Sequence, residues 1–211
     1  MVAHCLFEQS GTFKNEYGET DFVTDLFQEI VNGFDNAPSI FDNITKDDVI
    51  LAFFPCTRFD CQCQLWMSGN NYAEQNWSDA DKLEYAMEKH AELAQYYDYL
   101  CKLILLCIKR ELRLIIENPY NQPHYLTMYF PIKPTLIDKD RTENGDYYKK
   151  PTQFWFINMK PTNNIIFEPI LEVPQFIISN KTMIDKDKSR QTNRSTIHPQ
   201  YANRFIRQFI I

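Results

Sequence analysis

The most restrictive feature of this sequence is a long stretch, residues 79–111, that contains neither glycine nor proline. Ser78 precedes it and Asp81 follows three residues later, which is the spacing of a capping box at a helix start. An apolar segment lies on each side, at 47–54 and at 112–116, and each is typical of a buried strand. Strand, long helix and strand in this order predict a right-handed βαβ crossover with the two strands parallel and adjacent.

The remaining segments predict further elements of an α/β fold. Residues 2–7 are typical of a short buried strand, and 22–34 show helical spacing of apolar residues, with Gly33 where a C-cap is expected. The aromatic segment 152–158 predicts another strand. Residues 199–211, which begin with a proline at the first turn, predict a closing amphipathic helix.

Prolines and charged loops become frequent after residue 120, so the two halves of the chain differ in character. We expect an α/β core over residues 1–120. Residues 121–211 are expected to be irregular and β-rich and to end in the closing helix. Because the chain has 211 residues, we expect both parts to join in one compact domain.

Composition limits the classes of function. The net charge is −6, whereas nucleic-acid-binding proteins are usually basic, so any binding to DNA must depend on a local basic patch. The longest apolar run, 103–108, is too short to span a membrane, and the first residues lack the pattern of a signal peptide. Six cysteines in such a chain indicate reduced thiols, and we expect a cytoplasmic protein with no membrane partner.

Three cysteines lie close together after the strand at 47–54. Cys56 follows a proline at the strand end, where a thiol facing a cleft can be a nucleophile, although an inert thiol is the alternative. Cys56, Cys61 and Cys63 have the spacing C-x4-C-x-C, which is not a usual zinc pattern, and we predict no metal site. Cys61 and Cys63 also lack the C-x-x-C spacing of thiol redox proteins.

A carboxyl group, Glu117, ends the apolar strand at 112–116 and is followed by Asn118 and Pro119. It is placed to hydrogen-bond a ligand with adjacent donors and acceptors, such as a base edge, or simply to cap the next turn. Since ligands collect at the carboxyl ends of parallel strands, parallel pairing would bring Glu117 and Cys56 to one pocket.

The segments 50–59 and 112–121 resemble the proline–cysteine and Glu-Asn motifs of DNA cytosine carbon-5 methyltransferases, in the same order and on the same strands. The likeness is closest to the small, divergent methylase-like proteins of bacteriophages and their bacterial hosts. Segments 149–158 and 194–206 are also similar to parts of that group. The resemblance implies a Rossmann-like sheet and a phage or bacterial setting.

The resemblance also implies a mechanism and its residues. Cys56 would add as a thiolate to carbon 6 of cytosine, and Glu117 would hydrogen-bond the Watson–Crick edge of the ring. Carbon 5 then accepts a methyl group from S-adenosylmethionine, and the base must be flipped out of the duplex to reach the pocket. Pro55, Asn118 and Pro119 would support the two loops.

The cofactor region departs from the family pattern, because the turn after the first strand has one glycine. The segment before the next helix leaves no room for a complete helix and second strand at typical loop lengths. No residue matches the ribose-binding acid cleanly, and Glu16 and Glu19 are the substitutes within reach. The cofactor-binding residues that the resemblance implies are Phe7, Glu8, Ser10, Gly11 and Asp25.

Two functional interpretations remain open. The first is an S-adenosylmethionine-dependent DNA cytosine methyltransferase whose DNA contacts come from basic residues of the loops and the C-terminal region. Its expected nucleic-acid-binding residues are Arg58, Arg141, Lys149, Lys150 and Arg194. The second is a non-catalytic protein that uses a trimmed methyltransferase scaffold and its acidic surface to bind a host nucleic-acid enzyme.

Overall fold

The computed structural model describes residues 1–8, 11–13, 20–21, 26–60, 65–69, 71–176, 184–185, 187 and 190–211. Six strands form one sheet within this part of the chain, in the order β2-β1-β3-β4-β6-β5. The strands are β1 (Ala3–Leu6), β2 (Thr20–Asp21), β3 (Val49–Ala52), β4 (Arg113–Pro119), β5 (Leu136–Asp138) and β6 (Thr152–Ile157).

The first four strands in chain order are parallel, and β6 and β5 extend the sheet in antiparallel pairings. Strands β3 and β4 are neighbours, with Ala52 opposite Ile116. Strand β6 pairs with β4, with Thr152 opposite Pro119. The predicted parallel pairing of the two strands around the long helix is therefore confirmed, and the carboxyl ends of β1, β3 and β4 share one edge with the start of β6.

The described α-helices are α1 (Leu26–Phe34), α2 (Asp79–Arg110), α3 (Tyr125–Tyr129), α4 (Arg190–Ser195) and α5 (Pro199–Phe209). Helix α2 is the predicted long helix, and it is about 48 Å long at 1.5 Å per residue. The predicted capping box is present, because the Ser78 hydroxyl accepts from the backbone of Asp81 at 3.2 Å. The helix ends at Glu111, which adopts a left-handed conformation.

Alternation along the strands separates two apolar layers. Ile50, Ile116 and Trp155 face the layer that contains α1 and the buried C-terminal half of α2. Leu51 and Ile115 face the opposite layer, which α5 covers. Because both faces of the central strands are covered, their continuous apolar sequences are explained.

Two expectations need correction. Gly33 is not a C-cap but a buried residue inside α1, where a Cβ atom would lie 3.0 Å from the Leu106 side chain of α2. The close approach of the two helices, not the helix end, requires glycine there. The second half of the chain is also less β-rich than expected, since the described part of it contains only β5 and β6 besides helices and extended segments.

Other expectations are met within small shifts of boundary. The predicted strand at 2–7 is β1, and the predicted closing helix is α5, with Pro199 at its first turn. Residues 22–25 of the predicted helix 22–34 lie outside the described residues. Among the helices that the structure describes, none has the length and apolar character needed to cross a membrane.

Candidate functional site

The ends of β3 and β4 are linked by a buried hydrogen bond. The side-chain amide of Asn118 donates to the carbonyl oxygen of Phe54 at 2.8 Å, and Asn118 is completely buried. Pro119 is the last residue of β4 and pairs with Thr152. Pro55 follows Phe54 and is half-buried. The turn that carries Cys56 is thereby held beside the end of β4, which carries Glu117, at the carboxyl edge of the sheet.

Cys56 is a half-buried free thiol in a tight turn, whose carbonyl oxygen accepts from the backbone of Phe59 at 2.8 Å and of Asp60 at 3.0 Å. Burial raises the pKa of the Cys56 thiol, Lys150 opposes that rise, and Glu117 and Asp60 add to it. The structure thus places Cys56 within electrostatic range of Glu117 and of one lysine. Lys150 is therefore a cation that favours the thiolate form of Cys56 against burial and the carboxylates.

Glu117 projects from β4 toward the layer covered by α5. Its side chain is 13% exposed, and its Oε1 atom is buried without a hydrogen-bond partner. The Nη1 atom of Arg141 lies 3.8 Å from Oε1 of Glu117. This carboxylate oxygen is therefore an unused acceptor beside a guanidinium group, an arrangement that suits a ligand with a donor next to an acceptor.

Arg141 is the centre of a buried polar network that the sequence did not reveal. It forms an ion pair with the buried Asp146, and its guanidinium lies 4.6 Å from the centre of the Tyr201 ring. The Tyr201 hydroxyl donates to Asp138 at 3.0 Å, and burial raises the pKa of Tyr201 well above its usual value. Arg141, expected on a nucleic-acid-binding surface, is instead 2% exposed and directed toward Glu117.

A small cavity of about 10 Å³ lies beside Glu117, between the sheet and the aromatic residues above it. Its lining residues are Phe13, Leu51, Ala52, Phe53, Ile115, Glu117, Phe154 and Phe205. A volume of this size holds about one water molecule. Cys56 does not line this cavity, so the expected common pocket is not open here. A pyrimidine ring can enter beside Glu117 only if an aromatic residue such as Phe13 moves.

Most of the basic residues expected to bind nucleic acid are engaged within the chain. Arg58 forms an ion pair with Glu92, and Lys149 pairs with Asp140 at 2.9 Å. In the C-terminal region, Arg207 pairs with Glu168 at 2.7 Å, and Arg204 donates to the carbonyl oxygen of the same residue at 3.0 Å. Arg194 is half-buried and lies within electrostatic range of Tyr148. The expected basic patch is therefore largely neutralised by neighbouring acceptors.

The turn after β1 contains the expected cofactor-binding residues that the structure describes. Phe7 has a left-handed backbone, and its ring packs on Phe27 and Phe54 with centroids 5.2 and 5.3 Å away. Glu8 accepts from the backbone of Phe13 at 2.8 Å. Gly11 has a φ of +68°, and no atom of the described residues lies within 4 Å of the position that a side chain would occupy.

The space at Gly11 lets a ligand approach the backbone, so this part of the turn fits a bound cofactor. Ser10 and Asp25, the other expected cofactor-binding residues, lie outside the described residues, as do Glu16 and Glu19.

No group of three or more potential metal ligands occurs among the residues that the structure describes, and Cys61 and Cys63 lie outside them. His124 is completely buried, and burial lowers its pKa to about 4.

Sequence reasoning identified both strand ends but missed Asp138, Asp146 and Tyr201, the partners of the buried arginine. Charged residues in loops are usually exposed, so the segment around Arg141 carried no signal of burial. The amphipathic pattern of residues 199–211 was a hint only in general terms, because an amphipathic helix buries one of its faces.

Scans against protein-family models, curated proteins and solved structures each return no match to this chain.

Proposed function

We propose that this protein is a DNA cytosine-5 methyltransferase that acts through a covalent cysteine adduct. The observation that carries the proposal is the placement of Cys56 and Glu117 at the ends of neighbouring parallel strands. Asn118 ties these ends together through its bond to Phe54, and Cys56 lies within electrostatic range of Glu117. A nucleophile beside a carboxyl group at this edge is the combination that the reaction requires.

The thiolate of Cys56 forms a bond to carbon 6 of the cytosine ring, which moves electron density to carbon 5. As the addition places negative charge on the ring, N3 takes up a proton from solvent, which it returns after methyl transfer. The N3–H and amino groups of the Watson–Crick edge then donate to the carboxylate of Glu117, whose Oε1 atom has no hydrogen-bond partner among the described residues. Arg141 lies 3.8 Å from that oxygen and holds the carboxylate in place. When the C5 proton leaves to solvent, the electron pair returns to the ring and expels Cys56 as a thiolate.

S-adenosylmethionine, when bound, would supply the methyl group. Of the residues in the described turn, Gly11 offers an open backbone and Glu8 a carboxylate at the same carboxyl edge of the sheet. These residues would hold the cofactor near the end of β1, next to the β3 end that carries Cys56.

A cytosine base can reach Glu117 only if the aromatic side chains that cover this residue move. Phe13 is almost completely buried, and its ring packs on Phe53 at 4.9 Å and on Phe205 at 5.9 Å. A flipped cytosine must displace part of this cover to reach Glu117. We propose that this displacement opens the cavity of about 10 Å³ into a base pocket.

A second candidate is a non-catalytic protein that binds a host nucleic-acid enzyme. The specific observation in its favour is that the chain pairs its own cations, as with Arg58 and Glu92 or Lys149 and Asp140. These paired cations are not free to bind phosphates, and the net charge of −6 repels DNA. In this candidate the two motifs are retained from an ancestral enzyme.

The deciding experiment is covalent trapping on DNA that contains 5-fluorocytosine, with S-adenosylmethionine present. The fluorine blocks release, so an active enzyme remains attached to the DNA on a denaturing gel. We expect trapping by the native protein and by Cys101→Ala, a matched loss of a half-buried thiol on α2, and none by Cys56→Ala. Trapping by Cys56→Ala would refute the mechanism. No trapping by the native protein, together with no calorimetric binding of S-adenosylmethionine, would support the second candidate.

A further inference from the structure

Two adjacent lysines, Lys149 and Lys150, occupy different environments before β6. Lys149 is exposed and pairs with Asp140 at 2.9 Å. Lys150 is half-buried, and it forms no ion pair within the described part of the chain. Because no described carboxylate pairs with Lys150, its ammonium group is available to another negatively charged group.

The strand pairing places Lys150 near the carboxyl ends of β3 and β4, where the candidate catalytic residues lie. Because β6 is antiparallel to β4, its start lies beside the carboxyl end of β4, with Thr152 opposite Pro119. The backbone of Tyr120 donates to the carbonyl oxygen of Pro151 at 2.8 Å, which continues this pairing one residue further. Lys150 therefore lies just beyond the end of β4.

Cys56 follows the end of β3, and β3 lies on the opposite side of β4 from β6. The Asn118–Phe54 hydrogen bond fixes the chain two residues before Cys56 beside the end of β4. The Cys56 and Lys150 backbones are thus about two strand spacings apart, roughly 10 Å, a gap that an extended lysine side chain closes. The Thr152 hydroxyl donates to the carbonyl oxygen of Lys150 at 2.9 Å and holds its backbone.

We propose that the ammonium group of Lys150 is the counter-ion of the Cys56 thiolate and sets the pH at which this thiol ionises. The thiol loses its proton to solvent, and Lys150 keeps its own proton and stabilises the negative sulfur. This inference rests on the proposed function only for the later use of the thiolate. Lys150 is then a positioning residue of the site and not a phosphate contact.

The charges around Cys56 agree with this assignment. Glu117 on β4 and Asp60 in the cysteine's own turn both raise the pKa of Cys56, in addition to burial. Lys150 has the opposite effect and lowers the pKa of Cys56. Arg58, two residues away, is engaged with Glu92. Without Lys150, burial and the two carboxylates would raise the pKa of the Cys56 thiol further.

The test measures alkylation of Cys56 by iodoacetamide as a function of pH, on the full chain without DNA or cofactor. Mass spectrometry of the peptide that contains Cys56 separates its reaction from those of the other cysteines. For Lys150→Met we expect the midpoint to rise by about one pH unit or somewhat less, and the rate at pH 8 to fall about three- to tenfold. Lys149→Met is the matched control and is expected to leave the profile unchanged, whereas Lys150→Arg restores it.

Equal midpoints for Lys150→Met and the native protein would overturn the proposal, as would an equal shift in Lys149→Met. If Lys150→Met fails to fold, the alkylation midpoints of Lys150→Arg and Lys150→Gln are compared at 0.1 and 1 M salt. A difference between the two variants that shrinks at 1 M salt supports the counter-ion, because salt screens a charge effect. Equal midpoints at 0.1 M salt reject it. The role of Lys150 and the proposed function fail separately. If the alkylation profile shifts but the protein is not trapped on 5-fluorocytosine DNA, Lys150 is the counter-ion of Cys56 and the protein is not a methyltransferase.

Discussion

The side-chain amide of Asn118 and the carbonyl oxygen of Phe54, 2.8 Å apart and both buried, join the two strand ends that carry the candidate catalytic residues. Phe54 lies two residues before Cys56, and Asn118 follows Glu117 directly. This hydrogen bond therefore holds the turn that contains Cys56 at a fixed distance from the end of β4, which contains Glu117. Any change in it alters the site and the fold together.

We expect Asn118→Ala to lower the free energy of unfolding by about 1–3 kcal/mol, because the Phe54 carbonyl loses its buried donor. Urea denaturation measures the change. Asn76→Ala, at an exposed position, is the control and should alter stability by less than about 0.5 kcal/mol. Similar values for the two variants would show that the bond does not hold the loops.

Arg141→Met should destabilise the protein by about 3–5 kcal/mol, because it leaves Asp146 as an uncompensated buried charge. The double variant Arg141→Met/Asp146→Asn should recover part of this loss, and thermal and urea unfolding of the single and double variants form the required cycle. Native stability of Arg141→Met would show that the ion pair between Arg141 and Asp146 does not stabilise the folded protein.

The stability of the protein should fall between pH 6.5 and about 4 because of His124. Burial lowers the pKa of this histidine to about 4, so over this range the unfolded chain binds a proton that the folded chain does not. The sign is therefore a loss of stability as the pH falls, of about 3 kcal/mol across the full range.

His124→Phe should remove most of this pH dependence, since it replaces a completely buried ring whose nitrogens have no hydrogen-bond partner. His90→Gln, an exposed histidine on α2, should leave the dependence unchanged. Urea unfolding at several pH values compares the slopes. A native slope in His124→Phe would assign the effect to another group.

Gly33→Ala should destabilise the contact between α1 and α2 by about 1–3 kcal/mol, because the new Cβ lies 3.0 Å from both the Leu106 side chain and the Ser39 hydroxyl. Shortening the neighbour in Gly33→Ala/Leu106→Val should cost less than the sum of the two single changes. Calorimetric unfolding gives the three values. Additive costs would mean that the glycine is not needed for the helix approach.

The sequence was most informative where local pattern and topology agree. Residues 79–111 predicted α2 almost to the residue, because a capping box precedes a stretch without helix-breaking residues. The apolar segments on either side could then pair only in parallel, which placed Cys56 and Glu117 at one edge. These conclusions needed no knowledge of distant contacts.

The parts that the sequence did not predict depend on residues far apart in the chain. Arg141 is buried because Asp146 and Tyr201 surround it, and Tyr201 arrives with the last helix. Gly33 looked like a helix end, yet its reason is Leu106 on another helix. The aromatic cover over Glu117 likewise combines Phe13 with Phe205, so the closed state of the cavity could not be predicted from either segment alone.

The position of β6 between β4 and β5 has a consequence for how the chain acquires its structure during synthesis. One edge of β4 stays unpaired until residues 152–157 have left the ribosome, and the second apolar layer stays exposed to water until α5 follows. The residues before 120 are thus an aggregation-prone intermediate and not a unit that folds first. Assembly of the candidate site is consequently a late, chain-wide event that long-range contacts make slow.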